Sequence, residues 1–282
     1  MFVWSKLSSE KWTDAWEERF HGAGDERAVI TKIPNRKTIR VDVYCEKRRE
    51  AEAIQSLFGG VVRELKSRNW AALSDVPPPP VKVRNRIVIF GLRDRSDWAA
   101  AKKEHQGRIV LNIPPDMAFG TGHHQTTATV LRLLVDFADA RKGQEWTMLD
   151  LGAGSGVLAL AAEKLGATSI WGCDHDAKAV EVARRNLKQN GARNITIDEA
   201  DVLKWRPRQR WDCVAANIFA DILEAVVPKL VQAVKKDGVV ILSGILKTQA
   251  DGCLDAGRKA GLIFDQVVVR GKWVTALGRR AA

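Results

Sequence analysis

The chain has 282 residues, 45% hydrophobic and 28% charged, with a formal net charge of +11. That length predicts about two domains, and the composition is ordinary for a soluble globular protein. No stretch approaches the ~18 uncharged apolar residues of a membrane helix, and the opening Met1 to Lys6 lacks the apolar core of a signal peptide, so no membrane partner is expected.

In chain order, Trp12, Trp16 and Phe20 recur on one face of an amphipathic helix in a segment that also carries Trp4, a pattern read as packing and not base stacking. Ala28 to Ile33 and Thr38 to Tyr44, with Ile39, Val41 and Val43 alternating about a turn at Pro34 to Lys37, predict a hairpin. Glu46 to Phe58 has helical spacing, Gly59-Gly60 ends it, and Val61 to Leu65 is strand-like. These pieces read as a β-β-α-β unit, a curtailed ferredoxin-like module forming a small basic α+β substrate-recognition domain over residues 1–76. The run Pro77 to Pro80 cannot join a helix or a central strand. Residues 77–113 are therefore read as a proline-rich linker and hairpin, Val81 to Phe90 turning near Asn85, followed by a strand from Arg108 to Ile113.

Residues 114–282 read as the larger domain. Asp116 to Thr127 carries glycines that demand a loop, and Thr126 or Thr127 is expected to cap a helix running to Ala140. Met148 to Leu151 is a short apolar strand with the acid Asp150 inside it, followed by Gly152, Gly154 and Gly156 and then by helical periodicity from Val157. A dinucleotide fingerprint would need its third glycine where this chain has Val157, and a phosphate loop would end in Gly-Lys-Ser/Thr, which does not occur. A ligand-binding turn of another kind, or a tight structural turn, remains. Ser169 to Cys173 is a second strand ending at Asp174, 22 residues beyond Gly152, where a carboxylate can accept two hydrogen bonds from a ribose diol. Ile195 to Ile197 follows, with Asp201 where an adenine edge would lie. Cys213 to Ala216 ends at Asn217-Ile218-Phe219-Ala220, Gly238 to Ser243 is a fifth strand, and Ile263 to Val269 with Trp273 to Leu277 closes the chain as a hairpin. The alternation predicts a mostly parallel sheet covered on both faces, one strand made antiparallel by the hairpin.

The pattern Asp150-x-Gly152-x-Gly154-Ser155-Gly156 resembles the first motif of the S-adenosylmethionine-dependent methyltransferases. Together with Phe119-Gly120-Thr121-Gly122-x-His124-x-Thr126-Thr127, the acid Asp174 and Ala216-Asn217-Ile218, it resembles the bacterial ribosomal protein L11 methyltransferases over residues 108–282. The resemblance implies an α/β fold, a Rossmann-like class I methyltransferase sheet, with S-adenosyl-L-methionine as cofactor and a ribosomal protein as substrate. It implies cofactor contacts at Thr127, Gly152, Asp174 and Asn217; Phe119, His124, Gly154, Gly156 and Asp201 complete the candidate cofactor-binding set. The chain departs from the family in the loop, where His123-His124-Gln125 stands for the usual Thr-His-Pro, at Phe219, which replaces the usual leucine, and in its shorter front part.

Methyl transfer from a sulfonium is an in-line displacement, so a protein mainly supplies alignment and a water-poor site. Asn217 and Phe219 are the catalytic candidates, the first to orient an incoming amine, the second to offer a ring face to a cation. His124 is expected to order its loop and His123 to be exposed and inert. Cys45, Cys173, Cys213 and Cys253 lie far apart with no Cys-x-x-Cys pair, which reads as reduced thiols in a cytoplasmic protein without a metal site. The charge balance is +7 over residues 1–113 and +4 over the rest, so the front domain is expected to approach ribosomal RNA, or simply to be solvated. Competing readings are a small-molecule amine methyltransferase, a nucleic-acid amino methyltransferase, whose usual Asp/Asn-Pro-Pro-Tyr/Phe is absent at residues 217–220, and a non-catalytic ribosome-binding protein that keeps the fold.

Overall fold

The computed structural model describes residues 2–21, 28–33, 36–64, 78–116 and 118–281. Two compact units result, Met1–Asp75 and Val76–Ala282. In the first, β1 (Phe2–Ser9), α1 (Thr13–His21), β2 (Ala28–Lys32), β3 (Thr38–Cys45), α2 (Arg48–Phe58) and β4 (Val61–Glu64) build an antiparallel sheet in the order β2-β3-β1-β4. The strand β1, absent from the sequence expectation, pairs with β3 from Phe2 opposite Cys45 to Ser9 opposite Thr38. It completes a β-α-β-β-α-β ferredoxin-like unit, so the module is whole and not curtailed.

Trp4 explains why β1 sits at the centre. It is fully buried, its Nε1 donates to the Gly59 carbonyl at 2.6 Å, and the rings of Trp16, Phe20 and Phe58 lie 5.9–6.2 Å away. Gly60 follows with φ +94°, and a Cβ there would come within 2.7 Å of the Ser5 carbonyl oxygen, so the double glycine is a steric requirement. Trp12 does not share the packed face. It lies in a 3-10 turn that precedes α1 and is 53% exposed. The expected turn residues Pro34 and Asn35, and Pro77, lie outside the described residues.

The second unit contains β5 (Val81–Val83), β6 (Ile87–Phe90), α3 (Arg95–Glu104), β7 (Ile109–Asn112), α4 (Gln125–Ala140), β8 (Trp146–Leu151), α5 (Val157–Lys164), β9 (Ala167–Asp174), α6 (Ala177–Gln189), β10 (Ile195–Glu199), β11 (Trp211–Asn217), α7 (Ala220–Ala233), β12 (Val234–Leu246), α8 (Ala250–Lys259), β13 (Leu262–Arg270) and β14 (Trp273–Arg280). Its main sheet has the order β10-β9-β8-β11-β12-β14-β13. The first five strands are parallel and β14 runs antiparallel to both neighbours, the mixed sheet that the closing hairpin predicts. Met148, Ile170 and Cys213 face α4, α5 and α6, while Leu149, Val214 and Val240 face α7 and α8. Burial on both faces is why these strands read as continuous apolar runs.

Residues 81–113 are more than a connection to this sheet. β5 and β6 form the expected hairpin, but β6 then runs parallel to β7 through α3, a crossover helix not read from the sequence. Val83, Ile87, Ile89, Leu111 and Ile113 are buried in one core with Val130, Leu131 and Leu134 of α4.

Candidate functional site

Parallel strands align their carboxyl ends, and ligands of such sheets gather there. Gly152 follows β8, Asp174 ends β9 and Asn217 ends β11, with Leu151 opposite both Cys173 and Ala216. The glycine turn fits its neighbours closely. A Cβ on Gly152 (φ +76°) would lie 2.2 Å from Ile218 Cγ2, and one on Gly154 (φ +52°) 2.5 Å from the Phe119 carbonyl oxygen. Gly156 is the N-cap of α5 with φ +78°, and a Cβ there would meet Ala183 of α6 at 3.3 Å. Gly156 thus serves helix packing, whereas Gly152 and Gly154 let two loops approach the turn.

One of those loops is residues 118–124. Ser155 pins it, donating from its backbone N–H to the Phe119 carbonyl (2.8 Å) and from Oγ to the Gly120 carbonyl (2.6 Å). Buried Asn186 of α6 secures the same serine by donating from Nδ2 to its carbonyl at 2.9 Å. His124, and neither Thr126 nor Thr127, caps α4. Its Nδ1 accepts from the Thr126 N–H at 3.4 Å and lies 2.7 Å from Thr126 Oγ1. The imidazole packs edge-on between Phe119 and Trp273, with ring centroids 5.1 and 5.0 Å away. His123 is exposed, as expected, but is bonded: Nε2 lies 2.9 Å from the Pro79 carbonyl and Nδ1 3.2 Å from Thr121 Oγ1.

Thr127 and Asn217 meet across the edge. Asn217 Nδ2 donates to Thr127 Oγ1 at 3.4 Å, while Asn217 Oδ1 is buried with no partner in the protein. A buried acceptor left unpaired costs ~1–3 kcal/mol, so a native one calls for a donor from elsewhere. Asp174 is 8% exposed; its carboxylate accepts from the Gly154 N–H at 2.9 Å and from the Asp176 N–H at 3.1 Å. Those bonds aim it along the edge and leave acceptor capacity on both oxygens. Asp201 behaves differently. Its Oδ1 accepts from the Leu203 N–H at 2.8 Å and Oδ2 sits 3.7 Å from Lys204 Nζ, so much of its bonding serves its own turn. Phe219 precedes α7 and is 57% exposed.

Behind the turn lies a second set of unpaired acceptors. Asp150 is fully buried and neither carboxylate oxygen has a hydrogen-bond partner. Burial pushes its pKa up to about 7; the Ala159 amide in the first turn of α5 pulls it down and the charge of Asp174 adds to the rise. Ser155, Asn186 and Trp273 are the residues that sequence reasoning did not assign to the site. Only Ser155, inside the glycine motif, carried a local signal. Among the described residues no group of three or more His, Cys, Asp or Glu side chains is placed to hold a metal, and no helix is long and apolar enough to cross a membrane.

Comparison with known proteins agrees with this architecture. The family model for ribosomal protein L11 methyltransferase matches residues 25–281. The ribosomal protein L11 methyltransferase of Caldanaerobacter subterraneus subsp. tengcongensis is 34% identical over 219 residues, 78% of this chain and 67% of that protein. The protein of the same name from Listeria innocua is 33% identical over 224 residues, 79% of this chain and 68% of its own. A crystal structure of ribosomal protein L11 methylase from Lactobacillus delbrueckii subsp. bulgaricus superposes with a TM-score of 0.60 at 26% identity, covering 72% of this chain and 99% of that one. Motif, sheet order and relatives agree, and the chain belongs to the ribosomal protein L11 methyltransferase family, the S-adenosylmethionine-dependent protein methyltransferases with a Rossmann-like sheet.

Proposed function

We propose that this enzyme N-methylates lysine side chains, the N-terminal α-amine, or both, on a ribosomal protein, with Thr127, Gly152, Gly154, Asp174 and Asn217 as the principal cofactor-holding residues. The observation that carries this reading is the buried, unpaired Oδ1 of Asn217 beside Thr127 at the carboxyl edge of the sheet. That orphan acceptor, with the remaining lone pairs of Asp174, fits a ligand rich in N–H and O–H donors, as S-adenosylmethionine is. When bound, the cofactor supplies an electrophilic methyl group on a sulfonium. The protein has to align a neutral amine with it and exclude water.

Neutrality separates the two kinds of target. A lysine with pKa ~10.4 costs ~4.6 kcal/mol to deprotonate at pH 7, an α-amine at ~8 only ~1.4. Desolvation in the site would lower a lysine's pKa and so assist its deprotonation. Asn217 Oδ1 supports orientation of an amine N–H, and the exposed ring of Phe219 supports attraction of a cation at the rim. The proposed substrate domain is the ferredoxin-like unit, and the four buried, unbridged cysteines support a cytoplasmic setting. The overall charge of +11 supports an approach to ribosomal RNA.

The test is incubation of the purified enzyme with methyl-labelled S-adenosylmethionine and ribosomal protein L11, read by mass spectrometry. Methyl groups on amines of that protein are expected. Label on free small amines alone, label sensitive to ribonuclease, or cofactor binding with no label on any protein would each overturn the proposal in favour of a different reading.

A further inference from the structure

The segment between β10 and β11 reads Lys204-Trp205-Arg206-Pro207-Arg208-Gln209-Arg210, four cations in seven residues with no acid among them. Its root is fixed. The Asp201 carbonyl accepts from the Lys204 and Trp205 N–H groups at 3.0 and 2.8 Å, and Trp205 stacks on Trp171 with centroids 6.1 Å apart and planes 17° apart. Lys229 of α7 donates from Nζ to the carbonyls of Val202 (3.3 Å) and Leu203. Beyond this anchor, Arg206, Arg208 and Arg210 are exposed, and among the described residues none has a hydrogen-bond or ion-pair partner.

Other arginines of this unit rest on carboxylates: Arg84 on Asp136, Arg86 on Asp139, Arg184 on Asp198 and Arg279 on Asp265. Within the basic segment Lys204 Nζ rests 3.7 Å from the Asp201 carboxylate, whereas Arg206, Arg208 and Arg210 have no acid to pair with among the described residues and repel one another. Because β10 and β11 both run parallel to β8 and β9, the segment travels from the carboxyl edge of the sheet to the opposite edge. Arg210 stands there, next to Trp211 at the start of β11.

We propose that Arg206, Arg208 and Arg210 bind the phosphate backbone of RNA, at a site apart from the methyl-transfer edge. Guanidinium groups match phosphate oxygens in two-point contacts, and unpaired ones bind them without first breaking an internal ion pair. Proteins of the ribosome bind RNA through basic surfaces, so a basic segment repels such a substrate and suits the polyanion that accompanies it. The site would hold the enzyme beside RNA-associated targets without taking part in transfer.

The experiment compares the full-length enzyme with its Arg206→Ser/Arg208→Ser/Arg210→Ser variant in binding a fluorescent 20-nucleotide oligouridylate across a salt series. Each phosphate contact on a single strand adds about −0.7 to the slope of log affinity against log salt. Three contacts give about −2.1, a loss of roughly eighteen-fold between 50 and 200 mM salt. The triple variant should bind at least ten-fold more weakly, with a slope smaller in magnitude by about 2. Its thermal midpoint and its turnover on free ribosomal protein should be unchanged, and an Arg→Lys triple variant should keep most of the slope. An unaltered affinity and slope in the serine variant would overturn the proposal. So would polyglutamate binding the same arginines as tightly as the RNA, which would assign the segment to an acidic protein.

Discussion

Replacing Asp150 by asparagine separates two electrostatic accounts of the glycine turn. The carboxyl group is fully buried, both oxygens are unpaired, and burial carries its pKa from 3.8 to about 7. The titratable neighbours offer no compensation. Asp174 on β9 adds negative charge, the Cys173 and Cys213 thiols are themselves pushed up by burial, and the first turn of α5 presents Val157, Leu158 and Ala159. The folded chain therefore keeps a proton that the unfolded chain releases near pH 4. Stability contributed by this proton is complete below the unfolded pKa and is lost as pH rises toward 7, ~3 units at 1.36 kcal/mol each, or ~4 kcal/mol in all. Asparagine has nothing to titrate, but it buries an amide NH₂ at a cost of ~1–3 kcal/mol. Asp150→Asn should therefore be ~1–3 kcal/mol more stable than the parent at pH 8 and less stable at pH 4. Urea unfolding of the Val76–Ala282 unit, followed by tryptophan fluorescence at pH 4, 6 and 8, reads the difference. A variant less stable than the parent at pH 8 would refute the reasoning, because the carboxylate would then be ionised and held by the first-turn amides of α5.

Asp174→Ala strands the Gly154 and Asp176 N–H groups as well as removing the edge carboxylate; calorimetry should show cofactor affinity reduced at least a hundred-fold, with unfolding free energy lower by ~1–3 kcal/mol. Asn217→Ala removes the orphan acceptor together with its bond to Thr127; methylation kinetics should show kcat falling ten-fold or more while the fold, by circular dichroism, is unchanged. His124→Ala removes the cap of α4 and should cost ~1 kcal/mol in thermal or urea unfolding, most of it restored by His124→Asn. Deleting residues 1–75 should spare cofactor binding and impair methylation of the ribosomal protein, whereas deleting 1–113 also removes Val83, Ile87, Ile89, Leu111 and Ile113 from the core and should leave the remainder insoluble or unfolded on expression.

What the sequence disclosed and what it withheld divide along a physical line. The main sheet was legible because strands buried on both faces are near-continuous apolar runs, and the glycine turn because φ values of +76°, +52° and +78° suit glycine above all. β1 was not legible: Ser5, Lys6, Ser8 and Ser9 interrupt its apolar pattern, and it is a strand because Trp4 fills the space under α1 and α2. The helix α3 carries little sequence signal although Asp94 caps it by accepting from the Ser96 N–H at 2.7 Å, since its Ala-rich, Lys-rich stretch has no strong apolar face. Trp12 kept the helical spacing of Trp16 and Phe20 yet fell outside the helix. Periodicity reports which residues would share a face, not where the helix begins.

At the site the same division has a functional consequence. Thr127, Gly152, Asp174 and Asn217, the proposed cofactor residues, carry a motif signal because each sits at a strand end or helix start whose local chemistry shows in its neighbours. The supports carry none, because Trp273 reaches His124 across 149 positions and Asn186 reaches Ser155 across 31. These supports hold the loop at 118–124 against the glycine turn, and through it the start of α4 that carries Thr127. A chain with every motif residue but without Asn186 and Trp273 would keep its legible signature and lose two of the contacts that hold the loop leading to Thr127. The double variant Ser155→Ala/Trp273→Ala therefore ought to weaken cofactor binding although it changes none of the residues assigned to the cofactor. If it binds as the parent does, the strand ends alone position the site and the loop is dispensable.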